Sequence, residues 1–193
     1  MNAFKKVRQE RAMPKIIKDV REKIIRESSE IIKRGESERF SARQIAERCS
    51  IAVGTLYNYF PSIEALLVTL IGDEWKRTVE EIDEKCATAS TVSEGLDYML
   101  RGLRGFTDKY YSFWISAVVA GGSVKLGGSF HSRLREEISE RIEKLFTKCG
   151  HKYDKKLMPA VAEIIISLGA GQDVEPESAF DLVRAVADKC CGK

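Results

Sequence analysis

The chain has 193 residues, room for one large or two small domains, and its 44% hydrophobic and 32% charged content is that of a globular protein with a real core. Five cysteines, an odd number without framework spacing, exclude a disulfide scaffold. The longest uncharged run, Tyr110–Val124, is too short and too interrupted by glycine to cross a membrane. The net charge of +3 divides unevenly: residues 1–60 carry 14 Lys+Arg against 8 Asp+Glu, and the remainder carry 18 against 21. The basic N-terminal part is where a polyanion would find complementary charge. The first 30 residues hold no apolar stretch suited to a secretory leader, and free thiols fit a reducing cytoplasm, which is the expected location.

Residues 1–13 are basic with little periodicity and are expected to form a mobile arm. Pro14 suits a first helical turn. Ile16, Ile17, Val20, Ile24, Ile31 and Ile32 then recur near the 3.6-residue period until Gly35 stops them, predicting an amphipathic helix of about 20 residues. Ser41-Ala42-Arg43-Gln44 has the form of a capping box opening a short helix that ends at Arg48. Cys49-Ser50-Ile51 makes a turn, and a second short helix covers Ala52–Tyr59. Pro61-Ser62 breaks that helix and caps the next, with Glu64 placed where the helix dipole favours negative charge.

Everything beyond reads as helix. Ile63–Cys86 is apolar at Leu66, Leu67, Leu70, Ile71, Trp75, Val79 and Ile82. Val92–Lys109 follows, then the apolar Tyr110–Ala120, a glycine-rich connection through Gly121, Gly122, Gly127 and Gly128, and a charged amphipathic helix Phe130–Lys148. Two helices at Leu157–Leu168 and Pro176–Cys190 close the chain. No segment alternates with period two for long enough to demand a strand. The fold class is therefore all-α: a three-helix helix-turn-helix domain over residues 1–61, followed by a larger helical domain over 62–193.

Two short helices joined by a three-residue turn and packed on a longer one form a DNA-binding helix-turn-helix. Ala46 is small where the helices cross, and Ile51, Leu56 and Phe60 make the hydrophobic wedge. Val53, Thr55, Asn58 and Tyr59 are left on the outer side, where short polar groups and methyls can reach base edges. The run Ser41–Ala46, then Ile51-Ala52-Val53-Gly54-Thr55-Leu56-Tyr57-Asn58-Tyr59-Phe60, Ser62 and Leu66, resembles the DNA-binding signature of TetR-type repressors over about residues 14–67.

The resemblance implies a DNA-contacting set of Ser41, Arg43, Ala52, Val53, Gly54, Thr55, Tyr57, Asn58 and Tyr59. In it Arg43 reaches a base or phosphate, Gly54 lets the backbone come close, Tyr57 packs inward with its hydroxyl on a phosphate, and Tyr59 takes a second phosphate. Lys15 and Lys18 are further candidates for backbone contacts. Two positions depart from the family pattern: Ala52 stands where Ser or Thr usually caps the second short helix, and Ile63 where a Lys usually meets the DNA backbone. Both weaken DNA binding. They support an alternative, a helical ligand-binding or interaction protein with a vestigial helix-turn-helix.

The resemblance also implies a dimer released from DNA by a small molecule. A concentration of aromatics, Trp75, Tyr98, Phe106, Tyr110, Phe113 and Trp114, would line a pocket for a hydrophobic or aromatic effector, or would simply be core. The wide apolar face of 157–168 with the amphipathic 176–190 suits a homodimer through residues 157–190. Gly122–Ser129 is a near miss to a phosphate-binding loop, with Gly128 where Lys is needed. Cys149-Gly150-His151 and Cys190-Cys191 lack the paired spacing of a zinc site, and no nucleophile partners His131 or His151. Neither a cofactor, a metal nor an enzymatic activity is expected.

Overall fold

The computed structural model describes residues 18–36, 40–119, 127–171 and 174–190, with the side chains at 18, 111, 112, 114–119 and 127–130 outside that description. The described residues form eight α-helices: α1 (Lys18–Lys33), α2 (Ala42–Cys49), α3 (Val53–Tyr59), α4 (Ile63–Thr88), α5 (Val92–Val119), α6 (Gly127–Lys148), α7 (Met158–Ala170) and α8 (Pro176–Cys190). A single 3-10 turn, Lys155–Leu157, precedes α7. The expected mobile arm, Pro14, Lys15 and the central part of the glycine-rich connection lie outside the described residues.

The apolar residues fall into two buried clusters. The first gathers Ile24, Ile31 and Ile32 of α1, Ile45 and Ala46 of α2, and Leu56 and Phe60. It continues into Leu66, Leu67, Leu70 and Ile71 on the first turns of α4 and reaches Tyr110 and Phe113 on α5. The second fills the space among α4, α5, α6, α7 and α8. Phe106 packs against both.

The long helix α4 is about 39 Å from end to end at 1.5 Å per residue. It lies against α5 in the opposite sense, so that Trp75 meets Phe106 and Ile82 meets Gly102. Three glycines allow close approach in this bundle: a Cβ at Gly95, Gly102 or Gly169 would fall within 2.4–2.7 Å of Leu145, Ile82 or Leu103. Lys148, at the end of α6, donates from Nζ to the carbonyls of Cys86 (2.8 Å), Ala87 (2.6 Å) and Ala89 (2.7 Å). A cation is thereby placed at the negative C-terminal end of α4, where helical carbonyls lack intrahelical partners.

Three expectations need correction. Val92–Lys109 and Tyr110–Ala120 are not separate segments; α5 runs unbroken to Val119, because no proline or cap intervenes at Lys109-Tyr110. Gly127 and Gly128, expected in the connection, instead open α6. On α7 the buried stripe is Val161, Ala162, Ile165 and Ile166, while Ile164 stays exposed and Leu168 is half-buried. Cys149-Gly150-His151 ends α6: Gly150 adopts φ 73°, and the His151 N–H donates to the Phe146 carbonyl at 3.0 Å. Among the described residues no group of three or more metal-capable side chains converges, and no helix is long and apolar enough to cross a membrane.

Candidate nucleic-acid interface

Ser41 opens α2 in extended backbone, its hydroxyl accepting from the Gln44 N–H at 3.4 Å and its carbonyl from the Ile45 N–H at 2.9 Å. Ser50 closes α2 in the left-handed region (φ 55°), and the Ile51 N–H returns to the Ala46 carbonyl at 2.9 Å. Ala52 then starts α3 from extended backbone with no side-chain cap. Ser62 caps α4, its hydroxyl accepting from the Ala65 N–H at 3.1 Å. Hydrogen bonding to Ser62 also holds the Glu64 carboxyl below its usual range. The turn lengths are set by these caps, and Leu56, Phe60, Ala46 and Ile45 beneath them fix how α3 lies on α2 and α1.

Leu56 is wholly buried, and Phe60 nearly so. Val53, Gly54, Tyr57 and Asn58, with Ala52 ahead of them, form an exposed arc, as successive residues turn by about 100°. A Cβ on Gly54 would meet nothing within 4 Å, so no contact inside the protein requires that glycine. Arg43 is exposed on the first turn of α2.

The two tyrosines reverse the expected arrangement. Tyr57 is 46% exposed instead of packing inward. Tyr59, expected outside, is half-buried against the first cluster, and Thr55 one turn before it, also expected outside, is half-buried. Residues 55 and 59 share the flank of α3 turned toward the protein body, and 53 and 57 share the open flank. Ile63, in the place of the missing lysine, is half-buried against the same cluster. The side chains of Lys15 and Lys18 lie outside the described residues.

The aromatic residues separate. Trp75, Phe106 and Tyr110 meet in succession, the first pair edge to face and the second tilted, with ring centroids 5.3 and 5.4 Å apart, and Trp75 Nε1 donates to Glu137 at 2.9 Å. Lys109 pairs with Glu74 beside them, and burial pushes the Tyr110 hydroxyl pKa up. Phe113 meets Phe40 of the segment ahead of α2, a contact no periodicity announces because the two rings are 73 residues apart. Tyr98 stands away from this group, its hydroxyl donating to Glu94 at 2.9 Å, and the Trp114 side chain is outside the described residues. Two open clefts, of about 300 and 480 Å³, lie elsewhere, along α6 with Lys144 and Lys148 in both; Asp83 and Cys86 of α4 line one and Tyr153 the other. In the first, burial raises the Cys86 thiol to about 11.

Residues 24–70 match the family model described as "Bacterial regulatory proteins, tetR family". The chain thus carries a tetR-type segment from α1 into α4. Among the curated relatives, the HTH-type transcriptional repressor KstR of Mycolicibacterium smegmatis is 36% identical over 80 residues, 42% of this chain and 39% of the relative. The repressor of the same name from Rhodococcus jostii is 40% identical over 60 residues, 31% of this chain and 28% of the relative. These alignments span under two fifths of the relatives' own lengths. Solved structures extend the likeness in fold. A chain from Rhodococcus sp. RHA1 superposes with a TM-score of 0.67 at 16% identity, over 90% of this chain and 98% of the other. A TetR-family transcriptional regulator from Haemophilus influenzae RD gives 0.52 at 15% identity, over 91% and 97%. The sequence match thus lies on the helix-turn-helix, and over the larger C-terminal helical bundle the likeness is one of fold.

Proposed function

We propose that this chain is a ligand-responsive transcriptional regulator, a repressor that binds a palindromic operator as a homodimer and is released by a small molecule. The observation that carries the reading is the exposed, uncharged arc Val53-Gly54-Tyr57-Asn58 on a helix-turn-helix of the tetR family. A helix with small residues and a glycine on its open face can enter the major groove and bring methyl, amide and phenol groups to base edges and phosphates. Residues 1–61 are the DNA-binding domain in this reading, with Ser41, Arg43, Ala52, Thr55 and Tyr59 flanking the arc, and residues 62–193 bind effector and partner.

A second copy has a surface suited to it. Ile164 is 36% and Leu182 49% exposed on α7 and α8, with Leu168 and Val186 half-buried one turn further along each helix. The effector is small and apolar or aromatic, taken between α4 and α5 near Trp75, Phe106, Tyr110 and Phe113, with Trp114 and Tyr98 as further candidates. It releases DNA by binding the DNA-incompetent arrangement more tightly than the competent one. The place of work is the cytoplasm, where the DNA is.

The test is binding of the purified protein to its own upstream intergenic DNA and to unrelated DNA over a series of salt concentrations. Two copies per palindromic site, with a preference of roughly a thousandfold or more, support the regulator. Equal and weak affinity for both DNAs supports the alternative of a vestigial helix-turn-helix.

A further inference from the structure

The recognition helix α3, VGTLYNY, carries no acid or base at all, and its exposed residues are Val53, Gly54, Tyr57 and Asn58, with Ala52 ahead of them. That chemistry limits which base pairs the helix can specify. In the major groove guanine presents the acceptors O6 and N7, which a protein selects with paired donors from one Arg or Lys. Cytosine presents an amino group, which a carboxylate accepts from. Neither kind of side chain stands on the open arc. Arg48, the cation that precedes α3 most closely, is half-buried and pairs with Glu36 at 3.7 Å. Glu64, the acid that follows it most closely, belongs to the first turn of α4, its carboxyl held by hydrogen bonding to Ser62. Arg43 is exposed, but on α2.

What the arc does carry matches adenine and thymine. Val53 is 38% exposed in the first turn of α3, the part of a recognition helix that meets base edges. Gly54 beside it has no side chain to hold the backbone away, and a Cβ there would meet nothing within 4 Å. Apolar groups so placed pack on the 5-methyl group that only thymine carries in the major groove. Asn58 is exposed more than a turn further on. Its amide can donate to adenine N7 while accepting from the N6 amino group; opposite guanine, the amide oxygen would face the O6 acceptor. From Val53 to Asn58 the helix rises about 7.5 Å, a little over two base steps, so the arc lies across about three consecutive pairs.

We propose that α3 reads a short run of A·T pairs, with Val53 packing on a thymine methyl and Asn58 holding an adenine through N7 and the N6 amino group. The inference rests on the DNA-binding reading above and goes beyond it in naming the bases. Readout of this kind is direct, so each contact disappears with one group of the DNA: the methyl of a particular thymine, or N7 of a particular adenine.

The probe is a duplex selected by the full wild-type chain from a random library, and its half-site should hold adjacent A·T pairs. In that duplex thymine is replaced by uracil, and adenine by 7-deazaadenine, one pair at a time. Affinity is measured for the wild type, Val53→Ala and Asn58→Ala. Uracil removes one methyl, and at one pair it should weaken the wild type roughly three- to fivefold while leaving Val53→Ala unaffected. 7-Deazaadenine removes the N7 acceptor, and at a pair within the same run it should weaken the wild type roughly fivefold or more while leaving Asn58→Ala unaffected. A selected half-site without adjacent A·T pairs overturns the inference, as does a wild type indifferent to both analogues at every pair. Losses that persist unchanged in the variants overturn it too, and so does a preference for guanine that either variant abolishes. Both positions are exposed, and thermal melts check that the variants fold. Should one fail, the wild type's own response decides, the sensitive thymine and adenine being expected within three consecutive pairs. A wild type that selects no sequence sinks the functional reading and the inference together. One that selects a sequence, but meets any of the overturning outcomes, sinks the inference alone.

Discussion

The rings of Phe40 and Phe113 meet edge to face, centroids 5.7 Å apart at 81°, joining the residue ahead of the α2 cap to the later part of α5. Phe113 is buried in the same cluster as Leu56 and Phe60, so α5 and the helix-turn-helix share one packed core. Edge-to-face pairs contribute about 0.5–1.5 kcal/mol beyond area burial. A double-mutant cycle of Phe40→Leu and Phe113→Leu, read by denaturant unfolding, should give a coupling in that range. Additive effects would show the ring contact to be without energetic consequence.

Tyr57 and Leu56 are neighbours with opposite environments. Tyr57→Ala removes a half-exposed ring and should leave the unfolding midpoint nearly unchanged while weakening operator binding at least several-fold. Leu56→Ala opens a cavity under α3 and should cost about 2–5 kcal/mol of stability. Thermal melts and operator titrations on the two variants separate the roles; equal DNA affinity for Tyr57→Ala and wild type would remove that side chain from the interface.

Ala52 already has the extended backbone of an N-cap (φ −71°, ψ 148°) but offers no side-chain acceptor to α3. Ala52→Ser should add a hydroxyl that accepts an orphan N–H and stabilise the protein by about 0.5–2 kcal/mol in denaturant unfolding. No gain in stability would mean that the first turn of α3 already has its donors satisfied by solvent at no net cost.

Two glycines within helices should respond with opposite sign. A Cβ at Gly169 would stand 2.7 Å from the Leu103 Cβ, an atom tied closely to the α5 backbone, so Gly169→Ala should cost about 1–3 kcal/mol. Gly72 is exposed on α4 with nothing within 4 Å, and Gly72→Ala should stabilise by about 0.5–1 kcal/mol. Denaturant unfolding of both single variants checks the pair, and equal effects would mean that α5 and α7 yield to admit the methyl.

Local chemistry made much of this chain readable in advance. The 3.6-residue recurrence of Ile24 and Ile31, the Ser41 and Ser62 caps, and the pattern around Leu56 and Phe60 identify helices, their ends and the helix-turn-helix. Each depends on residues within a turn or two of one another, and backbone hydrogen bonds and caps act over that range. The tertiary structure decided which flank of α3 is open, exposing Tyr57 and half-burying Tyr59. It also decided that α5 continues through Tyr110, that Phe40 finds Phe113, and that Lys148 closes the end of α4. Burial and ring contact are set by whichever surface arrives from elsewhere in the chain, and a helix's own period ranks its faces without naming what will cover them.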